Sequence, residues 1–248
     1  VTGIRVDESL LRAVSRFATD LEDVLHAVLA GPAAALTVQP SDRGDDRLFV
    51  EGPDDGIPLS VDGQVVLRLF LTYRCAWDHT GQFLAVRWST VSVAAEGVAE
   101  PLFRYDYDEA SDGRVPAAHL DVHGHRDELV FAMLTSGRRL RGKPRAASVR
   151  RGRVPRMSTL HFPLGGHRFR PALEDVLEMV VREFGLDTRD GWQEAIRTGR
   201  ERWRGVQLRA AVRDDPAGAA LGALGALGYA VTAPAILPAQ HNGRTIAA

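Results

Sequence analysis

Between residues 8 and 30, apolar side chains recur at alternating steps of four and three: Leu10, Val14, Phe17, Leu21, Val24 and Val28. That spacing keeps them on one face of an α-helix. Asp7 is placed to cap this helix, and Gly31-Pro32 to stop it. His26 falls off the apolar stripe and reads as a solvated surface residue. The period then changes. In 64–75, Val65, Leu67, Leu69, Leu71 and Tyr73 alternate with polar positions, which predicts a half-buried strand. Residues 82–94, 101–108 and 117–125 predict three more. Short connections between them favour an antiparallel meander. The stretch 38–63 is rich in Pro, Gly and Asp and reads as loops and turns around a short strand at Leu48–Val50.

The second half returns to helical spacing. Residues 127–135 predict a short helix, 137–157 a basic loop broken by Gly and Pro, and 158–162 a brief strand. Leu173, Val176, Leu177, Val180, Val181 and Phe184 then predict a helix over 171–184. Pro171 suits its first turn and Gly185 its C-terminal cap. A further helix spans 190–213, and 216–231 reads as a Gly-weakened helix leading into a short strand. Local helices beside a contiguous sheet give an α+β fold: an antiparallel sheet of about four or five strands, an N-terminal helix and a helical C-terminal half. Residues 1–213 form one domain in this reading, and 214–248 a partly disordered extension. Neither a Gly-rich Rossmann turn nor a phosphate-binding P-loop motif occurs.

Composition narrows the function classes. The 248 residues are 45% hydrophobic and 25% charged, as in soluble globular proteins. No apolar run is long enough to span a membrane, and no secretory signal is visible, so the expected location is cytoplasmic. The single cysteine, Cys75, excludes an intrachain disulfide and a Cys-rich zinc site, and its strand position makes it a buried apolar residue. Trp77, Trp88, Trp192 and Trp203 read as core or interface packing.

The formal net charge of −1 hides a split. Residues 1–136 hold 11 Arg against 22 Asp and Glu, whereas 137–248 hold 20 basic against 10 acidic residues. Within 137–172 there are 11 basic residues, among them Arg150, Arg151 and Arg153, and no acid. Such asymmetry implies an anionic partner, such as nucleic acid, or an internal acidic surface. The basic run carries no aromatic residue to stack on bases before Phe162, so it offers a salt-sensitive phosphate grip rather than base readout.

Candidate chemistry concentrates in two strands. In 117–125, His119, Asp121, His123 and His125 share one face, and Leu120 and Val122 the other. In 101–108, Arg104, Asp106 and Asp108 share one face, and Phe103, Tyr105 and Tyr107 the other. The polar faces must coincide if the strands pair, because a one-residue slip would turn the charges into the core. A compatible register sets Asp106 opposite His119 and Arg104 opposite Asp121, within one side-chain radius.

Three readings of this patch stay open. One is a divalent transition-metal site with His119, Asp121, His123 and His125 as ligands. Another is metal-free phosphodiester chemistry. There His119 and His123 act as acid and base, Asp106 and Asp121 orient them, and Arg104 stabilises phosphate charge. The third is a His-rich but solvated sheet face. A second constellation, LHFPLGGHRFRP, places His161 and His167 around Gly165-Gly166, a pair suited to positive φ. His167, Arg168 and Arg170 lead into the 171–184 helix, and with Arg150, Arg151 and Arg153 they form a candidate phosphate-binding set. A cupin barrel is disfavoured by the short spacing after His125 and by predicted helices where that barrel needs strands.

The segments RYDYD (Arg104–Asp108) and AHLDVHGH (Ala118–His125) resemble the centre of the TumE-type toxin proteins, in which an Arg-x-Asp strand precedes a His-rich strand. The resemblance implies a toxin that acts on RNA and pairs with a DNA-binding antitoxin, with Arg104, Asp106, His119 and His123 at the matching positions. This chain is longer, and its C-terminal half lies outside the resemblance. The leading expectation is thus a nucleic-acid-directed, RNA-cleaving enzyme. The alternatives are a metal-dependent enzyme on a small molecule and a non-catalytic subunit that docks an acidic partner.

Overall fold

Asp7 caps the first helix, α1 (Glu8–Val28), by accepting the Ser9 backbone N–H at 2.8 Å. Its second oxygen accepts the Trp77 indole N–H at 2.9 Å, which ties the helix start to the sheet. These bonds, Trp77 first, hold the Asp7 carboxyl down at about 2. The computed structural model describes residues 7–41, 47–112, 115–124, 147–154, 156–159, 161–232 and 234–236. The expected helix at 127–135 and the run 137–146 lie outside the described residues.

The architecture is α+β. After α1 come β1 (Thr37–Pro40), β2 (Leu48–Glu51), β3 (Ile57–Val61), β4 (Gln64–Trp77), β5 (Leu84–Ala95), β6 (Pro101–Asp108), β7 (Ala118–Val122) and β8 (Phe162–Pro163). All pairings are antiparallel, in the order β1-β2-β4-β5-β6-β7-β8, with β3 also on β4. The sheet is larger than the four or five strands expected. Of the three strands between 37 and 61, β2 falls on the short strand expected at Leu48–Val50, whereas β1 and β3 form where the sequence reads as loop and turn. Each is only four or five residues long, too short for alternation to stand out from the intervening turns. β2 and β3 lie end to end against β4, covering 72–75 and 64–69 of it. In place of a strand over 158–162 there is a 3₁₀ turn at Met157–Thr159, followed by β8.

The helices that follow are α2 (Gly166–Phe169), α3 (Leu173–Phe184), α4 (Trp192–Asp214) and α5 (Ala223–Ala226). Gly185 ends α3 in the left-handed conformation (φ 65°) and donates its N–H to the Val181 carbonyl, as its position predicts. Residues 216–222 form a π-helical turn, and no strand follows among the described residues. No helix among the described residues is long and apolar enough to cross a membrane.

One sheet face carries the core. Leu67, Leu69, Leu71, Tyr73 and Cys75 alternate along β4 toward Leu10, Val14, Leu25 and Val28 of α1 and Leu177 and Val180 of α3. Burial pushes the Cys75 thiol up to about 12, which keeps it protonated and inert. His26, expected in solvent, contacts the Ala34 carbonyl through Nε2 at 3.1 Å.

Where α3 meets α4, Gly199 lets the backbone approach Glu174: a Cβ on residue 199 would stand 2.4 Å from Glu174 Oε1. Glu174 is buried, and desolvation raises its pKa. A carboxyl that binds its proton more tightly folded than unfolded stabilises the fold below its unfolded pKa. It loses that contribution as the pH rises through the folded value. Glu174→Gln is therefore expected to raise Tm relative to wild type at pH 8 and to leave it unchanged at pH 4. Thermal melts at the two pH values check this.

Candidate metal centre on the sheet face

The register between β6 and β7 is the one the polar alternation requires: Asp106 opposite His119 and Arg104 opposite Asp121. β8 adds a third column. It pairs Leu120 with Phe162 and His119 with Pro163, so His161, one residue earlier, comes alongside Asp121. Its Nδ1 stands 2.8 Å from Asp121 Oδ1. Three neighbouring strands thus bring Arg104, Asp106, Asp121, His119 and His161 onto one face.

Arg104 holds both carboxylates. Its Nε donates to Asp106 Oδ2 at 2.6 Å and its NH2 to Asp121 Oδ2 at 3.1 Å. The His119 ring is fixed differently: its Nδ1 lies 2.9 Å from the Pro116 carbonyl. A carbonyl only accepts, so Nδ1 carries the proton, and in the neutral ring Nε2 keeps its lone pair. Nε2 lies 3.8 Å from Asp106 Oδ2 and 3.9 Å from Asp121 Oδ2. These spans are too long for hydrogen bonds. The His119 and His161 rings meet edge to face, with centroids 4.6 Å apart.

This group is not a solvated face. Asp121 is 1% exposed and His119 8%. One ligand atom from each of His119, Asp121 and His161 lies within 4.8 Å of the others. Asp121 Oδ1 is buried and accepts no hydrogen bond among the described residues, although His161 Nδ1 is 2.8 Å away. The two atoms converge without aligning as donor and acceptor. Ligands about 2.0–2.2 Å from a tetrahedral ion lie roughly 3.3–3.6 Å apart; His161 Nδ1 stands closer than that to Asp121 Oδ1, at 2.8 Å, and His119 Nε2 slightly farther from the other oxygen, Oδ2, at 3.9 Å. Two imidazoles and a carboxylate suit Zn²⁺ and Fe²⁺ alike. The Pro116 carbonyl on the far nitrogen of His119 is the outer contact by which such ligands are oriented.

Other residues of the expected site are placed elsewhere. β7 ends at Val122, so strand alternation does not extend to His123, which turns to Glu100 with Nδ1 3.3 Å from Oε1. His125 lies outside the described residues. Asp108 accepts the Ala110 N–H at 3.0 Å and serves the turn after β6. His161, which the sequence groups with His167 in LHFPLGGHRFRP, instead joins His119 and Asp121.

The expected phosphate set does not assemble. Arg168 is committed to Asp214, with Nε and NH2 at 2.6 and 3.1 Å from its two oxygens. The Arg170 guanidinium lies 3.6 Å from the Tyr107 ring centre, and Tyr107 alternates with Asp106, so it points to the opposite sheet face. His167 Nδ1 lies 3.2 Å from the Tyr107 hydroxyl. Gly165 and Gly166 do adopt positive φ, as expected. They lead directly into α2, and α3 beyond it carries Glu174 and Asp175 in its first turn, where Asp175 accepts the Ala172 N–H at 2.9 Å. An acidic first turn fills the place an anion would take. Arg150, Arg151 and Arg153 are exposed. Arg156, next in that run, comes 4.0 Å from Glu100.

Comparison with protein-family models, curated proteins and solved structures finds no match to this chain. The TumE-type resemblance therefore rests on 104–125 alone.

Proposed function

We propose that the protein is a metal-dependent enzyme whose divalent transition-metal ion is held by His119 Nε2, Asp121 and His161. The observation that carries this reading is the convergence within 4.8 Å of one ligand atom each from buried His119 and Asp121 on β7 and half-buried His161 just before β8. An ion there would act as a Lewis acid toward a water or a substrate oxygen. The protein's own groups fit a hydrolytic step. Asp106, beside His119 Nε2, is placed to take a proton. Arg104 donates to both carboxylates and, being 40% exposed, can face negative charge that develops on a substrate.

Metal analysis of protein purified without a histidine tag tests the proposal. About one equivalent of Zn, Fe, Mn or Ni per chain is expected, removable by chelator. Metal-free protein that takes up none of these ions on titration would refute it.

A second reading, cleavage of RNA phosphodiesters, draws on the exposed Arg150, Arg151 and Arg153. Their run continues to Arg156, which reaches Glu100 beside His123. RNA cleavage that survives chelator and is lost in His119→Ala would favour this reading and count against the metal.

A further inference from the structure

A cavity of about 910 Å³ lies between the core face of the sheet and helices α1 and α4. That is ample for a drug-sized molecule. Its aromatic lining comprises Phe17, Tyr73, Phe83, Tyr105, Tyr107 and Trp203. Tyr105 and Tyr107 alternate with Arg104 and Asp106 along β6, so the cavity and the candidate metal centre use opposite faces of one strand. His119 borders both, and Asp106, whose Oδ2 lies 3.8 Å from His119 Nε2, also lines the cavity.

The charges around this cavity are mostly paired. Arg168 is matched by Asp214 and Arg202 by Asp20. Asp106 and Glu109 are matched by Arg104 and Arg87. The Asp78 carboxylate accepts the backbone N–H groups of Thr80, Gln82 and Phe83. Arg170 differs. Its guanidinium sits between the rings of Tyr107 and Trp203, at 3.6 and 5.2 Å from their centres. Among the described residues its one hydrogen bond goes to the His167 carbonyl. Ring faces and a single carbonyl leave most of a five-donor fork unused. Burial lowers the Arg170 pKa, the direction expected of a cation that lacks a matched counter-charge. Glu174, on the same cavity, has its carboxyl pushed toward the neutral form, which weakens its opposition to an incoming anion.

We propose that this cavity binds a small aromatic carboxylate, its ring among Phe17, Tyr73, Tyr105 and Trp203 and its carboxylate on the Arg170 guanidinium. Apolar walls supply most of the affinity, and the one half-buried cation of the lining without a carboxylate partner among the described residues, Arg170, selects for the anion. The site is independent of the metal reading: it needs neither His161 nor Asp121.

The fluorescent sulfonate 8-anilinonaphthalene-1-sulfonate is the probe, displaced by 1-naphthoate or by its neutral isostere 1-naphthamide. Wild-type protein is expected to bind the probe stoichiometrically and to prefer naphthoate by about ten-fold or more. Arg170→Met keeps the stem between the rings and removes the charge. It is expected to abolish that preference while still binding the uncharged probe N-phenyl-1-naphthylamine. Equal competition by acid and amide in the wild type overturns the proposal, and needs no variant to fold. So does a preference for the acid that persists in Arg170→Met.

Discussion

His161→Ala and His119→Ala are each expected to abolish stoichiometric metal binding, whereas His123→Ala leaves it intact. Removing a contact to the far side of a ligand already costs about 10–100-fold in affinity, so removing the ligand costs at least the upper figure. The contrast with His123 separates this geometry from simple histidine content, because His123 lies two residues from Asp121 yet faces Glu100. Isothermal titration of metal-free protein with Zn²⁺ reads the difference directly. Thermal melts give an independent check. An ion present at about 100 times its Kd stabilises the folded state by roughly 2.7 kcal/mol, and that increment should vanish in the two ligand variants and persist in His123→Ala. Uniform weakening across all three variants would mean that the imidazoles bind metal as a loose set, without the strand-defined centre.

The sequence is most legible where a short period repeats. RYDYD and HLDV alternate polar and apolar residues without interruption, and two such strands joined by a short loop admit few registers. The pairing of Asp106 with His119 follows from that constraint. His161 was illegible for the opposite reason. It enters beside a strand of two residues, about 40 positions downstream of its partners, and no local pattern announces so short a pairing. His123 was misplaced because alternation was carried past Val122, where the strand stops. Arg168 and Arg170 show a different limit. Composition reveals that a segment is basic, but Asp214, which neutralises Arg168, is 46 residues away, and the rings that flank Arg170 come from β6 and α4. Charge counts describe a partner's sign and leave open whether it lies inside the fold. Here the excess of arginine after residue 137 is spent partly inward, on Asp214, Asp175, Glu178 and Asp20.

Asp214→Ala is expected to be among the most destabilising single substitutions, at about 3–5 kcal/mol. Asp214 closes α4, where the partial negative charge of the helix end disfavours a carboxylate. Arg168 compensates through two parallel hydrogen bonds, and the two side chains are only 17% and 4% exposed. Deleting the acid leaves a guanidinium with little water to replace it, and an uncompensated buried charge costs far more than the pair contributes. The double variant Arg168→Met/Asp214→Leu should therefore recover most of the loss, since apolar side chains of similar volume can stand in for a buried pair. Urea unfolding of the wild type, Asp214→Ala and the double variant measures both steps. A double variant as unstable as Asp214→Ala would place the cost in lost packing at the end of α4. A single variant within about 1 kcal/mol of wild type would mean that Arg168 turns to solvent, as an exposed pair allows.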